Sequence, residues 1–140
     1  MKKYLNLSLI YAIAAMAMGV FYREFTKFNG FTGTTSLGKV HTHLFVLGMM
    51  MFLIAALFAA HFKNLGEVKT FRAFTVVYNI GVPLTAVMMT VRGVTQVLGS
   101  ELSKGANGAI SGIAGIGHII MAAGIILLLI SLIKSEKNEE

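Results

Sequence analysis

The charges of this 140-residue chain are gathered into short clusters, and the stretches between clusters constrain the fold more than any other feature. Four charge-free runs lie between Lys3 and Arg23 (19 residues), Lys39 and Lys63 (23), Arg72 and Arg92 (19), and Lys104 and Lys134 (29). Together they hold 90 of the 140 residues. A bilayer core about 30 Å thick is crossed by about 20 apolar residues in an α-helix. Each run therefore predicts one membrane-spanning helix, at Leu5–Phe21, Val40–Phe62, Ala73–Val91 and Ala109–Ile133. The expected fold is all-α: a single transmembrane domain over residues 1–140, an integral membrane four-helix bundle in the cell membrane. Composition agrees, with 56% hydrophobic and 13% charged residues, against about 25% charged in a soluble domain.

The start of the chain has the outline of a signal peptide, since Lys2 and Lys3 precede an apolar run and Ala15-Met16-Ala17 resembles a cleavage site. The apolar run is long for a signal, which favours a retained helix. Basic residues set the expected orientation. Lys2, Lys3, Lys63, Lys69, Arg72, Lys134 and Lys137 fall on one side; Arg23, Lys27, Lys39, Arg92 and Lys104 fall on the other. The richer side faces the cytoplasm by the positive-inside rule, so both termini are expected there.

Several chemistries drop out. With no Cys there are no disulfides, no Cys-ligated zinc, no iron–sulfur cluster and no thiol catalysis. All six acidic residues are Glu and none lies in a predicted helix, which removes most phosphoryl transfer and the carboxylates of an ion pathway. A net charge of +6 could suggest nucleic acid, but the charges sit at helix ends, where loops meet headgroups. No nucleic-acid partner is expected.

Within the helices, a few residues stand out. Gly108 and Gly112, like Ser111 and Gly115, are four apart. Small residues so spaced allow close helix approach in lipid, and packing within one protomer is the expectation. Pro83 cannot donate to the carbonyl of Asn79, so a bend is expected there. Asn79 itself is expected to hydrogen-bond a neighbouring helix. The segment Tyr22–Lys39 reads as the longest polar loop, and Lys134–Glu140 as a charged, frayed tail. Nine Met residues, including Met49-Met50-Met51, raise Cu(I) as a ligand. Consecutive residues point around a helix and cannot converge, so they read as packing.

Ionisable side chains inside a membrane usually mark a site, which brings the four histidines forward. His61 ends the second helix beside Lys63 and reads as interfacial. His118 lies about 14 Å along the fourth helix, near the midplane. It has two readings: a neutral ring bonded to a backbone carbonyl or to Asn79, or an axial ligand. His41 and His43 open the second helix. Residues two apart on a helix differ by about 200° in direction, so the pair cannot chelate one metal but can serve two sites on opposite faces.

The stretch Val40-His41-Thr42-His43-Leu44-Phe45-Val46-Leu47-Gly48-Met49 resembles the His-x-His helix of the heme-copper oxidase and nitric oxide reductase catalytic subunits. The chain as a whole also resembles a family of small bacterial four-helix membrane proteins. In the oxidase family, each His of that helix ligates heme. Its twelve helices divide into three units of four, with ligand helices second in each unit, where the His pair stands here. The resemblance therefore implies a twelve-helix homotrimer with heme b between protomers and His41 and His43 as iron ligands. Basic residues after the third helix of a unit hold heme propionates in the family, which implies that role for Arg92, with Arg23 or Lys39 as second choice. A heme pocket also needs a flat apolar slot, and Phe45, Leu47 and Met49–Met51 are its candidate walls.

The family's His-His doublet and crosslinked His-Tyr copper site have no counterpart, so oxygen reduction does not carry over. A bis-His iron has no open position, which implies electron transfer, or redox or gas sensing after ligand loss, rather than enzymatic turnover by the chain itself. Expected partners are further copies of the chain, the lipid bilayer, and a quinone or redox protein. The alternative is a non-heme membrane module, an assembly factor or transporter, whose histidines are interfacial.

Overall fold

The computed structural model describes residues 1–137. Its helices are α1 (Lys2–Phe28), α2 (Leu37–His61), α3 (Lys69–Val97) and α4 (Lys104–Glu136), with a short 3₁₀ turn at Leu65–Glu67 between α2 and α3. All four are long and apolar enough to cross a membrane. No strand occurs among the described residues. Hydrocarbon offers the backbone no partners, so an apolar chain in it is driven to close its hydrogen bonds within each helix. The expected tail at Lys134–Glu140 is helical to Glu136, and Asn138–Glu140 lie outside the described residues.

Seven of the eight helix ends run three to seven residues past the expected bounds; α2 instead stops at His61. Lys and Arg are good helix formers, and their stems reach from apolar surface to headgroups. A charge at the membrane surface therefore does not end a helix. Glycines with left-handed backbone follow two of the ends: Gly30 at φ +58° after α1 and Gly99 at φ +62° after α3. The expected long loop from Tyr22 contracts accordingly, because α1 continues through Phe28. At the other end of that connection, α2 starts at Leu37, packed against Gly93. A Cβ on Gly93 would lie 2.5 Å from the Leu37 backbone nitrogen.

Contacts along the helices fix an up-down-up-down order. Ser8 meets Met49 and Gly19 meets His41, so α1 and α2 are antiparallel. Tyr4 meets Phe71, so α1 and α3 run the same way. On α3, Gly81 lies over Met121, while Thr85 and Tyr78 meet Gly117 and Gly124 of the antiparallel α4. Two tight pairs result, α1 with α2 and α3 with α4, joined where α1 and α2 lean on α3. One end of the bundle carries the start of α1 and the end of α4; it is called the termini end here.

The two halves of the bundle are packed differently. In the termini half, Phe52, Phe71, Phe74 and Tyr78 are fully buried. Their ring centroids are 5.4–5.9 Å apart, from Phe52 through Phe74 to Phe71 and Tyr78. Such offset and edge contacts are favourable for aromatic quadrupoles. The far half instead holds an apolar cavity of about 590 Å³ among α1, α2 and α3.

A π-helical stretch, Leu44–Met50, interrupts the regular winding of α2. The buried residues Val40, Leu44, Gly48, Phe52 and Ala56 recur every four positions. On a regular α-helix each such step overshoots by about 40°. A wider turn winds the stripe back onto one face. Gly48 faces the ring of Tyr11 so closely that any Cβ would overlap it, and the Ser8 hydroxyl donates to the Met49 carbonyl at 2.9 Å.

Candidate functional site

His41 and His43 point different ways, as two residues 200° apart must. His41 faces α1. Its ring stacks on Tyr22 with centroids 6.4 Å apart and an interplanar angle of 14°. Gly19 of α1 lies beside it, where a Cβ would be in ordinary contact with the His41 side chain at 3.8 Å. Its Nδ1 is buried without a hydrogen-bond partner among the described residues.

His43 is half-buried on the other side of α2, with Nδ1 2.9 Å from the Lys39 carbonyl one turn earlier. A carbonyl can only accept, so Nδ1 carries a proton in this contact, and the neutral form of the ring would hold its lone pair on Nε2. That is the arrangement in which imidazole ligates metals: one nitrogen held by the protein, the other free.

His118 repeats the pattern on α4. Its Nδ1 is 2.8 Å from the Ala114 carbonyl, and the side chain is exposed. This answers one of its two sequence readings: the partner is the backbone, and Asn79 is engaged elsewhere. His61 is exposed at the end of α2, with its ring edge-on to Phe62 at 4.8 Å.

The other expected site residues are dispersed. Phe45, Leu47, Met49 and Met51 are half-buried and pack on the bundle core, while Met50 is exposed. None of them lines the cavity. Arg23 is exposed, 3.7 Å from the exposed Glu24. Lys39 is exposed beside the histidines. Among the described residues, no group of three or more His or Glu side chains could hold a metal ion. Heme asks less of the protein, one or two imidazoles.

Arg92 has partners that the sequence did not reveal. One terminal nitrogen donates to the Asn107 side-chain oxygen at 2.9 Å. The other donates to the Asn107 carbonyl at 3.3 Å and to the Ser111 hydroxyl at 2.7 Å. The guanidinium thus ties the end of α3 to the first turns of α4 and uses three of its five N–H groups.

The expectation for the α4 glycines is corrected. A Cβ on Gly108, Gly112 or Gly115 would meet nothing within 4 Å, so these residues do not pack within the protomer. The close approach uses Gly81, Gly117 and Gly124 instead. Helix contact needs small residues on the face turned to the partner, and that face of α4 is set by Ile110, Gly117, Met121, Gly124 and Leu128.

Asn79 does bond a neighbouring helix. The Tyr11 hydroxyl donates to its side-chain oxygen at 2.8 Å, and its amide nitrogen donates to the Thr75 carbonyl at 2.9 Å. Tyr11 and Asn79 both border the cavity. The cavity was not foreseen; its one sequence signal is the phenol of Tyr11, a polar tip within the apolar run of α1.

No curated protein and no solved structure matches this chain. Over residues 1–135 it matches the family described as "Protein of unknown function (DUF2871)", and the chain belongs to that family.

Proposed function

We propose that this chain is a membrane-embedded b-type heme-binding protein, with heme held between protomers by two imidazoles. The carrying observation is the state of His43: Nδ1 is committed to the Lys39 carbonyl, and Nε2 is left free on a partly open helix face. His41, facing away from His43, supports sharing, because one protomer cannot close both sides of one iron with this pair. In the proposed homotrimer of twelve helices His41 of one copy stands across from His43 of the next, which requires the His41 ring to turn off Tyr22 of its own α1. His118 is the reserve ligand, with the same tautomer and an exposed ring. Arg92, with two N–H groups still unspent, is the choice for the propionates. When bound, heme supplies a one-electron couple, which fits electron transfer or redox or gas sensing. The Lys and Arg asymmetry favours a cell-membrane orientation with both termini cytoplasmic.

A second reading rests on two contacts. The packing of His41 against Tyr22 and the bonds from Arg92 to α4 give both residues structural work without heme. In that reading the protein is a non-heme membrane module.

The visible spectrum of detergent-purified protein, expressed with added heme precursor, separates the two. A Soret band with sharp reduced α and β bands supports heme. Its loss in His43→Ala, and its loss or conversion to high-spin iron in His41→Ala, would assign the ligands. Full low-spin heme in both variants moves the assignment to His118. A colourless parent protein removes the heme reading.

A further inference from the structure

The cavity in the far half of the bundle has walls from three helices and a polar group at one end. It runs along α3 from Asn79 to Val91. Those twelve residue steps span about 18 Å. Its rim includes Ile10, Val87 and Val91, which are 60%, 56% and 40% exposed. In a chain that crosses a bilayer, these rim residues meet hydrocarbon, so whatever enters comes sideways from the lipid. Among the described residues, no charged one lines it. A volume of about 590 Å³ falls within the range of small-molecule sites, roughly 300–1,000 Å³.

The polar end limits the occupant. Asn79 stands six residues beyond Ala73, where the charge-free run of α3 begins, so it lies about 9 Å inside a core about 30 Å thick. A phospholipid headgroup stays at the interface, so only its chain could reach this depth. The Asn79 amide gives one N–H to the Thr75 carbonyl and retains a second. Its oxygen already accepts from Tyr11. The amide is therefore equipped to donate to a neutral acceptor in a setting where an unpaired polar group is costly.

We propose that this cavity binds a neutral, lipid-soluble molecule with a carbonyl group, which accepts a hydrogen bond from the Asn79 amide while its hydrocarbon tail lies between α1 and α3. The site is separate from the histidines, none of which lines it, and it stands whether or not heme is bound.

The test uses the full-length protein in nanodiscs, with empty nanodiscs as the partition control. The probe is a decyl-substituted benzoquinone, and decylbenzene is the tail-matched hydrocarbon without a carbonyl. The expected result is saturable uptake of one quinone per chain above the empty-disc level, with decylbenzene bound about tenfold more weakly. Asn79→Leu should erase that preference. Asn79→Leu also breaks the Tyr11 bond, so Val87→Phe serves as a second variant. It narrows the groove from its exposed rim and leaves Tyr11 and Asn79 untouched, and should lower quinone uptake at least fivefold. Uptake equal to empty discs overturns the proposal. So does equal binding of the two probes, which would make the groove a resting place for any hydrocarbon chain. Unchanged uptake in Val87→Phe overturns the location.

Discussion

Alanine at Gly81 and alanine at Gly112 make a matched pair that isolates the α3–α4 contact. Both positions lie inside long helices, and both substitutions gain about the same helix propensity, about 1 kcal/mol. Their surroundings differ. A Cβ on Gly81 would lie 2.6 Å from the Met121 backbone nitrogen and 2.9 Å from its Cα, whereas a Cβ on Gly112 meets nothing within 4 Å. Ordinary contact begins near 3.4 Å, so α3 and α4 must part by about 0.8 Å at Gly81. Backbone cannot swing aside as a side chain can. A gap of 0.5–1 Å forfeits roughly a quarter to a half of each dispersion contact along the seam. Overpacking of this kind costs about 1–3 kcal/mol. Because propensity cancels, Gly81→Ala should be less stable than Gly112→Ala by that amount. Reversible unfolding in mixed micelles of mild detergent and SDS, followed by far-ultraviolet circular dichroism, measures the difference. Equal stability would refute the close approach at Gly81. A loss in Gly112→Ala, with a fall in oligomer mass, would show that a second chain covers the open face of α4.

Two further variants test polar ties between helices. Tyr11→Phe removes the bond to Asn79 and should cost about 1 kcal/mol in the same assay; no change would mean that Asn79 finds another partner at once. Arg92→Leu breaks the three bonds to Asn107 and Ser111, so amide exchange in the first two turns of α4 should accelerate while the α1–α2 pair is unaffected. If heme is bound, this variant should also lower heme content. Faster exchange with full heme content would leave Arg92 as a helix tie alone.

The number and order of helices were legible because hydrocarbon forbids charge, and the charged clusters therefore mark the ends of each helix apolar enough to cross a membrane. Helix ends were less so, since Lys27, Lys69 and Lys134 continue helices through the surface. The divergence of His41 and His43 followed from helical geometry and survives the π-helical stretch, which begins after them. Which glycines pack was not legible. Gly108, Gly112 and Gly115 have the usual spacing but face outward, whereas Gly81 and Gly117 sit on helices whose relative rotation only tertiary contact decides. The partners of Arg92 were not legible either: Asn107 and Ser111 lie across a turn whose path is not written in any local pattern.

The π-helical stretch had a signal that a plain helix reading passes over. Val40, Leu44, Gly48, Phe52 and Ala56 recur every four residues, and over sixteen residues a regular helix would carry that stripe about 160° around its axis. One extra residue in a wide turn takes back about 100°. Removing a single residue from the stretch should therefore let α2 become regular while the histidines and the aromatic core keep their relative faces. Val46 is the residue to delete, being 60% exposed. The deletion costs the Ser8–Met49 bond, about 1 kcal/mol. Deleting the similarly exposed Val87 from α3, which has no π-helical stretch to absorb it, rotates one half of that helix by about 100° against the other and should unfold the bundle. Circular dichroism and SDS titration compare the two. Equal damage from both deletions would refute the view of Leu44–Met50 as an absorbed insertion. If the Val46 deletion folds, heme content reads the rest of its role: heme lost from an intact fold places the wide turn in the service of His43, one turn away, and heme retained leaves it to the packing of α2.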